Sequence, residues 1–133
     1  MNFPSRWLIA TNGSKYASIA VKHAGALSAV LKEKPIVTIL VVANTAADEE
    51  AALGIVEMAK FLFEEEGQQI VEPNLEVRVG KPGETVVDTA KDLGCDQILI
   101  GGADFKWDIN DASPGGVSNY IIANFDGTIT VVK

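Results

Sequence analysis

Apolar and polar positions follow two rhythms along the chain. Arg6 to Thr11, Ile36 to Val42, Gln97 to Ile100 and Thr128 to Val132 are short apolar runs bounded by turn residues, the pattern of buried strands. Leu75-Glu76-Val77-Arg78-Val79 alternates apolar with charged residues, which suits an edge strand with one wet face. Between these runs the apolar residues recur at steps of three and four. Tyr16, Ile19, Ala20, His23, Ala24, Leu27, Val30 and Leu31 outline one face of a first helix, which Pro35 keeps from continuing. Thr45 followed by Asp48 predicts a capping-box start for a second helix, with Ala52, Ile55, Val56, Ala59, Leu62 and Phe63 inward and Glu64-Glu65-Glu66 as its solvated end. Pro82 fits the first turn of a third helix that turns Val86, Val87, Ala90 and Leu93 inward and ends at Gly94. A last helix spans roughly Val117 to Asn124.

Strand and helix alternate throughout and close on a strand. With right-handed crossovers this order predicts the α/β class, a doubly wound parallel sheet with helices on both faces. At 133 residues the chain suits one domain, 1–133, with no solenoid repeat and no low-complexity segment. Apolar residues at 47% and charged residues at 22% are ordinary globular usage.

Charge narrows the partners. The formal net charge is −7 with only 11 lysines and arginines, so no basic stripe is present to displace counterions from a phosphate backbone, and nucleic acid and anionic membranes are disfavoured. No apolar run approaches the roughly 20 residues of a membrane span, and the amino terminus lacks a secretory pattern, so a cytoplasmic protein is expected. The lone Cys95 reads as a small, half-buried apolar residue, and His23, without a second ligand at metal spacing, as a partly buried core histidine.

Candidate chemistry gathers in two small-residue loops. Thr11-Asn12-Gly13-Ser14 follows the first strand; Gly101-Gly102 follows the fourth, and Gly115-Gly116-Val117-Ser118 leads into the last helix. In an open parallel sheet such loops meet in a crevice at the carboxyl ends of strands whose connections run in opposite directions. Asn12-Gly13-Ser14 serves equally as a helix N-cap, and the paired glycines ahead of a helix make an anion site. Asp108-Ile109-Asn110-Asp111 lacks the spacing of a calcium loop. Phe105 and Trp107 alternate with charges in the same stretch, a pattern that suits packing over the sheet edge, a partner surface or, as the preferred expectation, a lid over the crevice. Neither a nucleophile elbow, a Walker A pattern nor a Cys/His metal set is found, so enzyme classes fare poorly.

Four stretches together resemble the universal stress protein family over nearly the whole chain. Ile9-Ala10-Thr11-Asn12-Gly13-Ser14 is similar to its opening strand and Asp-Gly-Ser loop, and Val77 to Val86 to its Gly-x-Pro strand-to-helix turn. Gly94 to Gly101 resembles its fourth strand, and Thr128 to Val132 its closing strand. The resemblance implies a Rossmann-like sheet of the adenine nucleotide alpha hydrolase type, ordered 3-2-1-4-5. It also implies a homodimer through the final strand, and ATP or AMP bound without dedicated catalysis. The site residues it implies are Thr11, Asn12, Gly13, Ser14, Val41, Gly101, Gly102, Asp104, Gly115, Gly116, Val117 and Ser118, with no metal and no catalytic residue.

The family's ATP signature is Gly, two residues, Gly, nine residues, Gly, then Ser or Thr. Gly101 matches its first glycine, but Asp104 stands at the second, and Gly115-Gly116 with Val117-Ser118 matches its close only with one extra residue. Asp104 places negative charge where phosphate would lie; two charges about 7 Å apart at an effective dielectric of about 20 repel by roughly 2 kcal/mol. Asp108 and Asp111 share that loop with Lys106 alone. The resemblance implies a non-catalytic stress-response sensor or adaptor with an unidentified protein partner, and these departures imply weakened triphosphate binding. The alternative is a Mg²⁺-dependent ATP-binding protein, with slow ATPase or adenylate transfer supported by the loop aspartates.

Overall fold

The computed structural model describes residues 3–102 and 116–133. Its sheet comprises β1 (Arg6–Ala10), β2 (Ile36–Ala43), β3 (Asn74–Val79), β4 (Gln97–Gly101) and β5 (Thr128–Val132), in the order β3-β2-β1-β4-β5. Every pairing is parallel, with Trp7 beside Val37 on one side and Gln97 on the other. The helices are α1 (Lys15–Val30), α2 (Glu49–Glu66), α3 (Pro82–Asp92) and α4 (Gly116–Asn124). This is the doubly wound order expected from the sequence.

Right-handed crossovers assign the layers. The chain winds one way through β1, β2 and β3, which puts α1 and α2 on one face, and the other way from β3 across to β4 and on to β5, which puts α3 and α4 on the opposite face. Alternation along each strand then divides the core. Trp7, Ile9, Ile39, Val41 and Leu99 pack with Val21, Ala24, Val56 and Phe63; Leu8, Leu40, Ile98 and Ile100 pack with Val86, Ala90, Ile121 and Phe125. Strands covered on both faces have no reason to alternate in polarity, so the central ones read as continuous apolar runs.

Two expectations are corrected. The buried face of α1 is Ala17, Ala20, Val21, Ala24, Gly25 and Ser28, while Tyr16 and Val30 are 46% and 77% exposed and His23 is exposed rather than part of the core. The cause is close packing of α1 on α2. A Cβ at Gly25 would lie 2.3 Å from the Phe63 carbonyl oxygen, so the smallest residues, not the bulkiest, face the neighbouring helix. At the start of α2, the Thr45 hydroxyl donates to the Asp48 carboxylate at 3.0 Å and neither side chain caps a backbone amide. Residues 46–48 form a 3₁₀ turn in place of the capping box.

Candidate functional site

β1 ends in a loop that is ordered by its own polar groups. The Thr11 amide extends the ladder by donating to the Leu40 carbonyl at 3.0 Å. The Thr11 hydroxyl then accepts from the Gly13 amide at 3.2 Å, and the Asn12 side-chain oxygen accepts from the Ser14 amide at 3.0 Å. Ser14 caps α1 by accepting from the Ala17 amide at 3.2 Å. Gly13 has φ +78, in the left-handed region where a side chain is strained. Asn12 and Ser14 thus present their remaining hydrogen-bonding capacity to solvent from a fixed backbone.

Gly101 explains how the end of β4 reaches this loop. A Cβ there would lie 2.6 Å from the carbonyl carbon and oxygen of Tyr16 and 2.7 Å from the Ala17 amide nitrogen. The strand end and the first turn of α1 therefore touch backbone to backbone. A crevice of about 230 Å³ opens beside this contact, on the α3 and α4 side of the sheet. Thr11, Asn12, Ser14 and Gly101 form one wall; Val117 and Ser118 of α4 form another. Ala10, Leu40, Val42, Val86 and Ile100 make an apolar floor, and Tyr16, Asn44 and Pro82 stand around it.

The amino-terminal ends of α1, α3 and α4 all contribute to this lining. Their unpaired amides supply partial positive charge, whereas no Asp, Glu, Lys, Arg or His lines the crevice among the described residues. The arrangement suits an apolar ring held against the floor and a small anion held by backbone dipoles. It offers no described carboxylate–imidazole or carboxylate pair for proton transfer. The shifted titrations lie elsewhere: Asp92 pushes the Arg78 guanidinium up, and burial pushes the Cys95 thiol up. Among the described residues no group of three metal-ligating side chains occurs.

Of the residues singled out from the sequence, Thr11, Asn12, Ser14, Gly101, Val117 and Ser118 come together here. Val41 does not. Its side chain lies in the core cluster on the opposite face of the sheet, and its neighbours Leu40 and Val42 face the crevice instead. Gly13 faces a second groove against Ile55, and Gly102 packs on Val131 and Lys133 at the end of β5. Gly116 begins α4 at φ +50 without lining the crevice. Asp104 and Gly115, with Phe105, Lys106, Trp107, Asp108 and Asp111, lie outside the described residues. Sequence reasoning missed Tyr16, Asn44 and the apolar floor; strand alternation carried to β2 is the signal that finds Leu40 and Val42.

The Universal stress protein family matches residues 5–133. Among solved structures, a universal stress protein in complex with cAMP superposes at a TM-score of 0.83 with 18% identity, covering 98% of this chain and 97% of that one. The universal stress protein from Archaeoglobus fulgidus in complex with dAMP gives 0.71 at 20% identity, covering 100% of both chains. A family protein from Arabidopsis thaliana with AMP bound gives 0.68 at 14% identity, covering 98% of this chain and 91% of that one. No curated protein matches by sequence. Likeness at these identities establishes the fold.

Proposed function

Because the chain belongs to the universal stress protein family, we propose that its crevice binds an adenine nucleotide and that the protein acts as a non-catalytic stress-response sensor or adaptor. The carrying observation is the crevice at the topological switch point between β1 and β4, with an apolar floor and three helix amino termini around it. The base sits on Leu40, Val42 and Ile100, and the phosphate faces Ser14 and the first turn of α4. Similar structures holding cAMP, dAMP and AMP support this reading. The described lining carries no cation for a polyphosphate, so affinity falls from AMP to ATP. We further infer a homodimer through β5 and a cytoplasmic location. No helix among the described residues is long and apolar enough to cross a membrane.

Calorimetry with AMP, ADP and ATP, with and without Mg²⁺, tests the proposal. AMP binding is expected, with at least a tenfold weaker Kd in Val117→Asp, which puts a carboxylate at the phosphate end while favouring the helix terminus. Silence toward every adenine nucleotide ends the nucleotide reading. Mg²⁺-dependent ATP turnover replaces the adaptor with an enzyme.

A further inference from the structure

On the opposite face of the sheet from the crevice, a second groove of about 250 Å³ runs between α2 and the start of α1. Ile55, Met58 and Leu62 line it from α2, and Gly13 and Ser18 from the other side. The apolar surface continues outward: Met58 is 59% exposed and Phe61 60%. At the groove Gly54 sits in mid-helix, where a Cβ would meet nothing within 4 Å. Glycine in a helix interior costs about 0.5–1 kcal/mol relative to alanine, and no contact among the described residues requires it there. Its effect is to keep the groove open.

We propose that this groove docks a basic amphipathic helical segment of a partner protein. Charge selects the occupant. Residues 48–66 and α1 together carry seven carboxylates against three lysines, a formal −4, and one of those lysines, Lys60, lies 3.9 Å from Glu64. The other two, Lys15 and Lys22, are exposed on α1 and orient the partner's basic flank toward α2. A second copy of the chain, at −7 overall, is repelled from the same surface. An apolar stripe with i, i+3, i+4, i+7 spacing fills the groove, while lysine or arginine flanks meet Glu57 and Glu65. α2 packs on β2 and β3, at the far side of the sheet from β5, so pairing of two chains through β5 leaves the groove open. This inference stands independently of the nucleotide reading.

The test uses a synthetic helical peptide with leucines at i, i+3, i+4 and i+7 and lysines elsewhere, beside a twin in which glutamate replaces lysine. Amide shifts in ¹⁵N spectra are expected to map to residues 51–62, with the lysine peptide at least tenfold tighter and weakening as salt rises. Gly54→Leu, which fills the groove and favours the helix, is expected to fold with an unlowered Tm and to lose at least tenfold in affinity. Equal binding of the twin, shifts elsewhere, or full binding by Gly54→Leu overturns the proposal. Concentration-dependent self-association removed by Phe61→Asp also overturns it, since a second copy then fills the groove.

Discussion

The same methyl group has opposite consequences at two glycines. Gly25→Ala places a Cβ 2.3 Å from the Phe63 carbonyl oxygen and 3.0 Å from its carbon, backbone atoms that cannot rotate away, so α1 and α2 must separate. Overpacking of this kind costs about 1–3 kcal/mol. Gly54→Ala meets nothing within 4 Å and gains helix propensity, up to about 1 kcal/mol. Urea denaturation is expected to lower the midpoint in the first variant and raise it in the second; equal shifts would refute the packing account. Cys95 gives a chemical counterpart. Burial, aided by the Asp96 carboxylate and opposed by Arg6, pushes its thiol above the ordinary range. The neutral form is therefore favoured in the fold, and the associated stability is present below the unfolded thiol pKa and lost as pH rises through the native one. Labelling by a thiol reagent at pH 8 is expected to be slower in native protein than in urea, and equal rates overturn the assignment. At this scale the sequence was legible where chemistry is local, as at the Ser14 cap, and illegible where a neighbouring helix decides. His23 and Gly25 lie on one helix, and only the position of Phe63 shows which of them is inside.

Elements are held in register by groups that no periodicity reveals. The Asp96 carboxylate, just before β4, accepts from the Ser5 and Arg6 amides at 2.8 and 2.9 Å and from the Ser5 hydroxyl at 3.3 Å. It pins the start of β1 to β4, the pair whose far ends form the crevice. Charge-assisted bonds of this kind are worth about 1.5–3 kcal/mol when shielded, and water replaces part of that at this exposed site. Asp96→Ala is expected to cost about 1–2 kcal/mol in chemical denaturation and to raise amide exchange at Arg6; unchanged exchange there refutes the clamp. Strand limits were legible to within about a residue because buried runs end at Thr11, Pro35 and Gly101, where turn chemistry takes over. The start of α2 was not, because Thr45 and Asp48 bond each other rather than the backbone, and a residue pattern cannot rank those two pairings.

At the scale of the molecule, the strand order was legible through the family resemblance and handedness then assigns the helices to faces; that order brings together loops far apart in sequence, since Trp7, Leu8 and Ile9 pair with Gln97, Ile98 and Leu99. What handedness leaves open is which side of the sheet the cavity takes, and that choice separates Leu40 and Val42 from Val41. The same topology leaves two sheet edges, with different protection. β3 carries Glu76 and Arg78, and Arg78 also pairs with Asp92 at 2.8 Å, a charged edge that resists a neighbouring strand. β5 reads Thr-Ile-Thr-Val-Val without a charge; Ile129 and Val131 pack into the core beneath it, and Thr130 is tied to Gln97 by a hydrogen bond of 2.6 Å. That edge is the one suited to a two-fold pairing, in which the same strand meets its copy. Sedimentation at tens of micromolar is expected to show a dimer. Val132→Lys, changing a half-exposed side chain outside the core cluster, is expected to shift it to monomer while leaving the unfolding transition measured in the monomer range unaltered. A monomeric wild-type protein, or a dimer indifferent to the added charge, excludes β5 as the interface.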